Sequence, residues 1–206
     1  GIAFDLAFKY RNPAIILADG VIGQMMEKVV LPEQRTRLTD EEVIARCPWA
    51  TTGRTHHRTP NIITSLELDP AEMEKRNIHL QKKYAEIEEN EVRFEELHCE
   101  DAEYLIVAFG SCARIAQKAM EMAREEGIKV GLLRPITLWP FPSKAIAARA
   151  AQVKGILTVE LNAGQMVEDV RLAVECKVPV EHFGRLGGIV PDPDEVITAL
   201  KEKLIK

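Results

Sequence analysis

Polar residues and glycines directly follow an apolar segment near the start of this 206-residue chain. Residues 14–18 are apolar, and Asp19, Gly20, Gly23 and Gln24 come after them. Parallel α/β sheets bind ligands at the carboxyl ends of their strands. A carboxylate, an amide and glycine backbone at such a position could hold a cofactor, which makes Asp19, Gly20 and Gln24 cofactor-binding candidates. A plain turn is nevertheless the favoured interpretation of the Asp19-Gly20 dipeptide.

A second group of polar residues follows a later apolar segment. Glu160 and Asn162 stand at its end, and Gly164 and Gln165 come next. General acid–base catalysis commonly pairs such a carboxylate with a histidine or lysine, and neither is near in the sequence. The pattern therefore favours contact over catalysis. Arg185, in a glycine-rich turn, could bind a carboxylate or phosphate, but its glycine spacing does not fit a nucleotide-binding motif.

Metal binding and an activated nucleophile are not predicted. The four cysteines include no CxxC pair, which argues against a zinc site or an iron–sulfur cluster within the chain. His56 and His57 are adjacent and would point apart, which favours a surface loop. Cys112 lacks a histidine partner. Gly110 and Ser111 could hold an anion at a helix start, but a turn with a serine cap is the favoured interpretation.

The elements that position these residues form an α/β pattern over residues 101–206. Apolar runs predict strands, and apolar stripes at helical spacing predict the helices between them. A βαβ unit spans the first part of this domain, and prolines follow it up to Pro142. Helices should cover both faces of about four core strands. The predicted strands are 104–109, 129–133, 155–160 and 178–183, and the predicted helices are 110–126, 143–153, 166–174 and 191–206.

The preceding residues divide into two further parts. A helix over residues 2–10 and a buried strand over 14–18 predict that residues 1–30 are the tail of an α/β domain lying mostly upstream. Residues 31–100 have lower apolar density and more charge, which indicates a linker with local helices. One helix is predicted at 39–43. Another begins with Asp69 as its cap and Pro70 as its first residue, and is expected to reach about residue 96.

Composition excludes some partners. The net charge is −5 with both signs interspersed, so no basic nucleic-acid surface is expected. No apolar run approaches the ~20 residues of a membrane span. Scattered thiols without a disulfide pattern fit a reducing cytoplasm.

Six stretches of the chain together form a recognisable series. They are LADGVIGQMMEKVVLP (17–32), CPWATTGR (47–54), RTPNIITSLELDPAEMEKRNIHLQKKY (58–84), GIKVGLLRPITLWPFP (127–142), VELNAGQMVEDVRLAV (159–174) and FGRLGGIVPDPDEV (183–196). In this order they resemble the C-terminal portion of the alpha subunit of 2-oxoacid:ferredoxin oxidoreductases, and the type that acts on 3-methyl-2-oxobutanoate is the most similar. Residues 103–142 are also more loosely similar to the C-terminal domain of transketolase and of the pyruvate dehydrogenase beta subunit.

The resemblance implies a fold and a reaction. The fold is a three-layer α/β/α domain of the transketolase C-terminal-like type, preceded by the tail of a thiamine-diphosphate-binding α/β domain. The reaction is oxidative decarboxylation of a 2-oxoacid to an acyl-CoA, with electrons passed to ferredoxin. Thiamine diphosphate and Mg would bind mainly outside this segment, and iron–sulfur clusters would lie in partner subunits. The implied partners are beta, gamma and ferredoxin-like delta subunits.

The resemblance assigns no catalytic residue here, because the family's catalytic residues lie upstream of Ile2. The segment is then not active alone and mainly builds contacts between subunits, with Asn162, Gly164, Gln165, Arg185 and Arg134 as the expected contact residues. The substrate stays open between 3-methyl-2-oxobutanoate, 2-oxoglutarate and pyruvate. Two rival hypotheses for the chain are a transketolase-like group-transfer enzyme and an assembly module without thiamine contact.

Overall fold

The computed structural model describes residues 1–51 and 60–205 of the chain. It divides into two compact units, one formed by Gly1–Met25 together with Lys82–Lys206 and the other by Met26–Gln81. The predicted loop with His56 and His57 lies outside the described residues. The domain boundaries predicted from the sequence, 1–30, 31–100 and 101–206, stay predictions.

A five-stranded sheet is the centre of the first unit. Its strand order is β1-β3-β2-β4-β5, with β1 antiparallel to β3 and the other neighbours parallel. The strands are β1 Phe94–Leu97, β2 Tyr104–Ala108, β3 Val130–Pro135, β4 Gly155–Glu160 and β5 Val180–Gly184. The helices are α1 Ile2–Tyr10, α2 Gly20–Gln24, α3 Asp40–Arg46, α4 Pro70–Asn90, α5 Gly110–Glu125, α6 Ser143–Ala150, α7 Met166–Val174 and α8 Pro193–Leu200, which continues as a π-helical turn, Lys201–Ile205.

Helices cover both faces of the sheet, which confirms the predicted three-layer α/β/α fold. On one face, α5 and α8 bury residues such as Met120 and Leu200 against Ile106. On the other face, α6 and α7 bury Ile146 and Val170 among the alternate residues of the same strands. The central strands β2 and β4 are buried on both sides, as their continuous apolar sequences predict.

The chain connections change direction between β2 and β4. From β2 the chain passes through α5 to β3 on one side, and from β4 it passes through α7 to β5 on the other side. Such a switch point leaves a crevice at the carboxyl ends of the two strands, which is where open α/β sheets bind ligands. The segments that follow β2 and β4 are therefore the first place to look for a site.

The strand predicted for residues 14–18 is wrong. These residues have no regular secondary structure, and Ile15, Ile16 and Leu17 are 71–81% exposed. An apolar run can become a buried strand only where other strands pair with it. In the part of the chain that the structure describes, all sheet pairings are among β1 to β5.

The predicted helix from Asp69 is confirmed at its start but ends earlier than expected. The Asp69 carboxylate accepts the N–H groups of Ala71 and Glu72, and α4 ends at Asn90 instead of about residue 96. Strand β1 replaces the last predicted turns and pairs with β3. Its two glutamates, Glu95 and Glu96, form ion pairs at 2.8 and 2.6 Å with arginines of β3 and α6. These contacts outweigh the local helical preference of the sequence.

A buried carboxylate connects α1 to the end of α4. Glu91 accepts hydrogen bonds from Lys9 Nζ and Tyr10 Oη, both at 2.8 Å, and pairs with Arg93 Nη2 at 3.2 Å. These donors, Lys9 first, lower the pKa of Glu91 to about 2, although burial acts in the opposite direction. Lys83 Nζ also donates to Asn12 Oδ1 at 3.0 Å, so several polar contacts hold α1 in place.

The second unit holds α3, as predicted, the first part of α4, and segments without regular secondary structure. Thr39 and Glu42 form a capping box at the start of α3. Asn61 Nδ2 donates to the carbonyl oxygens of Pro48 and Ala50 at 2.6 and 3.1 Å. Among the helices described in the two units, none is long and apolar enough to cross a membrane.

Candidate functional site

The crevice at the switch point is lined by the segments that follow β2 and β4. Gly110 and Ser111 follow β2 and begin α5, and residues 161–165 follow β4 and lead into α7. Asp19 lies against the start of α5, and Glu160 lies at the start of α7. Each of the two helix starts therefore has a carboxylate of the same chain beside its N–H groups, where the helix dipole favours negative charge.

Asp19 joins two helices that are far apart in the sequence. Its Oδ1 accepts the N–H groups of Val21 and Ile22 at 3.0 and 2.9 Å, which caps the short helix α2. Its Oδ2 accepts the N–H of Ser111 at 3.3 Å. Burial alone would raise the pKa of Asp19, but the hydrogen bonds from Ile22, Ser111 and Val21 together lower it, so the carboxylate is favoured.

The Ser111 hydroxyl is buried beside this carboxylate. The residue is 7% exposed, and its Oγ has no hydrogen-bond partner of normal geometry in the described chain. As a hydrogen-bond donor to that carboxylate, the hydroxyl nevertheless contributes to lowering the pKa of Asp19. The favoured sequence interpretation, a serine cap, is wrong, because the N-cap residue of α5 is Phe109 and Ser111 lies within the helix.

Glu160 fills the start of α7 more completely. It is 1% exposed, and its carboxylate accepts the N–H groups of Gln165, Met166 and Val167 at 3.2, 2.8 and 3.1 Å. A buried carboxylate is tolerated only with such partners. This carboxylate therefore serves as an internal anion for α7.

His182 is the partner of Glu160 that sequence reasoning missed. Its Nδ1 lies 3.4 Å from Glu160 Oε1 and 3.2 Å from Thr158 Oγ1. The pairing of β4 with β5 places Thr158 opposite His182, so all three side chains point to the face covered by α7. The sequence gives no local signal of this contact, because it depends on the register between β4 and β5, and neither strand determines that register alone.

Two glycines make room for this histidine. A Cβ on Gly184 would lie 2.7 Å from His182 Nε2 and 2.2 Å from the carbonyl oxygen of Asn162. A Cβ on Gly164, which has a φ of 109°, would lie 3.6 Å from His182 Cδ2, and the Gly164 N–H donates to Asn162 Oδ1 at 2.7 Å. The structure thus places Asn162, Gly164 and Gln165 in one loop beside the Glu160–His182 pair.

The remaining candidates lie apart from this loop or make internal contacts. Arg185 follows β5, and its Nη1 pairs with Glu195 Oε1 at 2.8 Å. Arg134 lies on β3 and pairs with Glu95. Gly20 and Gln24 are exposed in α2.

The fit of thiamine diphosphate and Mg to this crevice can be judged from its residues. Both helix starts already have carboxylates beside them, so a diphosphate does not fit there while Asp19 and Glu160 keep these positions. Among the described residues, no group of three or more His, Cys, Asp or Glu residues could hold a metal ion. The crevice is therefore not a diphosphate site in this arrangement.

Comparisons with known proteins extend this description. Residues 102–196 match the family model described as "Pyruvate:ferredoxin oxidoreductase core domain II". The chain is 45% identical over 200 residues to "Ketoisovalerate oxidoreductase subunit VorB" of Methanothermobacter marburgensis, covering 97% of this chain and 55% of that protein. It is 32% identical over 193 residues to "2-oxoglutarate synthase subunit KorA" of Archaeoglobus fulgidus, covering 92% of this chain and 53% of that protein. The chain spans about half the length of the curated relatives that it matches.

A solved structure is also similar. The 2-oxoglutarate:ferredoxin oxidoreductase from Magnetococcus marinus, with 2-oxoglutarate, coenzyme A and succinyl-CoA bound, superposes with a TM-score of 0.58 at 26% identity. The match covers 66% of this chain and 24% of that one.

The sheet order and its two-sided helical cover define a three-layer α/β/α domain. Within that fold, residues 102–196 are similar to the pyruvate:ferredoxin oxidoreductase core domain II. The resemblance of the chain to the C-terminal portion of a 2-oxoacid:ferredoxin oxidoreductase subunit is confirmed.

Proposed function

We propose that this chain is the C-terminal portion of the alpha subunit of a thiamine-diphosphate-dependent 2-oxoacid:ferredoxin oxidoreductase. The enzyme oxidatively decarboxylates 3-methyl-2-oxobutanoate to an acyl-CoA and passes the electrons to ferredoxin. The observation that carries this proposal is the 45% identity to a ketoisovalerate oxidoreductase subunit along nearly the whole chain. The identity to a 2-oxoglutarate synthase subunit is lower, at 32%, which favours the branched-chain substrate.

Within that enzyme, we assign this segment a mainly structural and contact role. The carboxylates beside both helix starts in the crevice leave no place there for a diphosphate, which supports binding of thiamine diphosphate and Mg mainly by residues outside the segment. The free cysteines are spread over the chain, at positions 47, 99, 112 and 176, which supports iron–sulfur clusters held by partner subunits. Beta, gamma and ferredoxin-like delta subunits and a cytoplasmic location complete the proposal.

The exposed segment at residues 14–18 supports a neighbouring α/β domain. Three consecutive large apolar side chains, Ile15, Ile16 and Leu17, face solvent in a segment without regular secondary structure. Packing of these side chains against a thiamine-diphosphate-binding domain would remove this exposed apolar area from water. Asp19, Gly20 and Gln24 would then lie close to that domain, as cofactor-binding candidates should.

The activity test is reconstitution of the full-length subunit with its partner subunits. Acyl-CoA formation and ferredoxin reduction are measured with 3-methyl-2-oxobutanoate, 2-oxoglutarate and pyruvate, and we expect the highest kcat/KM for 3-methyl-2-oxobutanoate. A higher value for either of the remaining two acids would assign the chain to that type. Group transfer between sugars without ferredoxin reduction would support the transketolase-like hypothesis, and no turnover of any 2-oxoacid would refute the proposal.

The contact role is tested at Arg134. Its ion pair with Glu95 is half exposed, so Arg134→Ala should change stability by only about 0–1 kcal/mol. If Arg134 contacts a partner subunit, the variant should weaken assembly measurably in analytical ultracentrifugation. Lys118→Ala is the matched control, since Lys118 also forms an exposed ion pair, with Glu121 of the same helix. Equal assembly of both variants would remove Arg134 from the interface.

A further inference from the structure

We propose that a cavity between the end of α7 and the start of β5 binds a small carboxylate that carries an apolar chain. The volume of this cavity is about 410 Å³, which is within the range of about 300–1,000 Å³ that ligand pockets have. The cavity lies at the amino ends of the parallel strands, on the opposite side of the sheet from the crevice. This inference goes beyond the proposed function and needs none of its chemistry.

The walls of the cavity are apolar. They are formed by Val174 at the end of α7 and by Val178, Pro179 and Val180 at the start of β5. Val174 is fully buried, and Val178 and Val180 pack against the same core cluster, so the fold holds these walls in place. Such walls favour an alkyl chain as the ligand, because binding removes the apolar surface of the chain from water.

Arg171 supplies a positive charge at this cavity. Its Nη2 donates to the carbonyl oxygen of Val180 at 3.3 Å, which holds the guanidinium at the start of β5. A guanidinium has five N–H donors, and no carboxylate of the described residues forms an ion pair with this one. A carboxylate ligand is the partner that these donors fit, through two parallel hydrogen bonds. Other arginines of the first unit already pair with a carboxylate of the chain, namely Arg93, Arg124, Arg134, Arg149 and Arg185.

The turn between α7 and β5 adds a lysine and a thiol to the cavity. Lys177 Nζ pairs with Glu175 Oε2 at 3.0 Å, so these two charges offset each other and the charge of Arg171 is left over. Glu175 and Cys176 have φ angles of 53° and 61°, which residues other than glycine seldom adopt outside functional sites. Cys176 is exposed at the cavity, so its reactivity reports whether the cavity is occupied.

The test measures how fast iodoacetamide alkylates Cys176 in the full-length subunit within its assembled complex. Mass spectrometry of the peptide that contains Cys176 gives the rate, and a free thiol peptide in the same solution is the reference. The probes are butanoate and hexanoate, with butanamide as the uncharged match, at constant pH and ionic strength. Arg171→Gln removes the charge at the cavity. Arg46→Gln is the matched control, because Arg46 is also an exposed arginine in the last turn of a helix.

Butanoate should slow the alkylation of Cys176 with half-protection at about 1–10 mM, and butanamide should not. Each buried methylene strengthens binding about fourfold, so hexanoate should protect at a concentration roughly tenfold lower. Arg171→Gln should raise the half-protecting concentration at least about tenfold, and Arg46→Gln should leave it unchanged.

Three results would overturn the proposal. The first is equal protection by butanoate and butanamide, or no protection by either up to about 100 mM. The second is the same half-protecting concentration in Arg171→Gln and Arg46→Gln. The third is a Cys176 that does not react in the complex without any carboxylate, which would show that another subunit covers the cavity. Because the readout is alkylation of Cys176, it is independent of the turnover of any 2-oxoacid.

Discussion

Glu160 offers the sharpest test of how the crevice is built. Its carboxylate accepts three backbone N–H groups at the start of α7 and is shielded from water. A hydrogen bond to a charged group contributes about 1.5–3 kcal/mol, and bonds that share one acceptor group do not add in full. Replacing Glu160 with alanine should therefore destabilise the first turn of α7 by about 3 kcal/mol. Glutamine keeps one acceptor oxygen and should cost about half as much.

The assay is hydrogen exchange of the amides of Gln165, Met166 and Val167 in the assembled protein. A loss of about 3 kcal/mol in local stability corresponds to roughly 100-fold faster exchange in Glu160→Ala. Glu168→Ala is the matched control, because Glu168 is an exposed acid in the first turn of the same helix and should contribute only ~0.3–1 kcal/mol. If the two variants accelerate exchange equally, Glu160 does not hold the start of α7 and the reasoning is refuted.

Three further predictions concern other parts of the first unit. The pKa of Glu91 is lowered from 4.5 to about 2, so the contribution of its carboxylate to folding stability is complete above pH 4.5 and is lost as the pH falls towards 2. In Glu91→Gln, Tm should therefore depend less on pH between these values. An unchanged slope of Tm against pH would contradict the lowered pKa of Glu91. Gly184→Ala places a Cβ against the carbonyl oxygen of Asn162, so it should lower the free energy of unfolding by more than about 2 kcal/mol, measured as a loss of Tm. Gly155→Ala meets only the movable end of the Leu204 side chain and should lower Tm clearly less. Equal losses of Tm would contradict the close approach at Gly184. Burial raises the pKa of the Cys99 thiol to about 11. Iodoacetamide at about pH 8 should therefore label the exposed Cys176 of the native protein and leave Cys99 unlabelled. Labelling of both cysteines at similar rates would contradict the burial of Cys99.

The parallel core could be predicted from the sequence because its local signals agree with one another. Strands β2 and β4 are continuous apolar runs, and the stripe of small residues in α5 matches a helix packed on a sheet. A strand buried on both faces and a helix buried on one face have different periodicities, so each can be recognised without knowing its neighbours. The resemblance to a known family then supplied the fold type and the reaction, which periodicity alone did not.

The elements that sequence reasoning missed depend on neighbours. Strand β1 contains two glutamates that read as a helix surface, and only the arginines of β3 and α6 make them favourable in a strand. Residues 14–18 have the composition of a buried strand but no strand of the described sheet pairs with them. The Glu160–His182 contact joins residues of two strands whose register is fixed by pairing. In each case the deciding contact lies far away in the sequence.

The antiparallel edge strand β1 affects whether strands of other chains can pair with this sheet. A sheet edge exposes unpaired N–H and C=O groups that invite strands of other chains. Strand β1 is only four residues long and carries Glu95 and Glu96, which already pair with Arg134 and Arg149. An incoming strand would have to bring its own backbone beside these charges, which disfavours addition at this edge. At its β1 edge, the sheet can therefore lie close to strands of other chains without pairing with them.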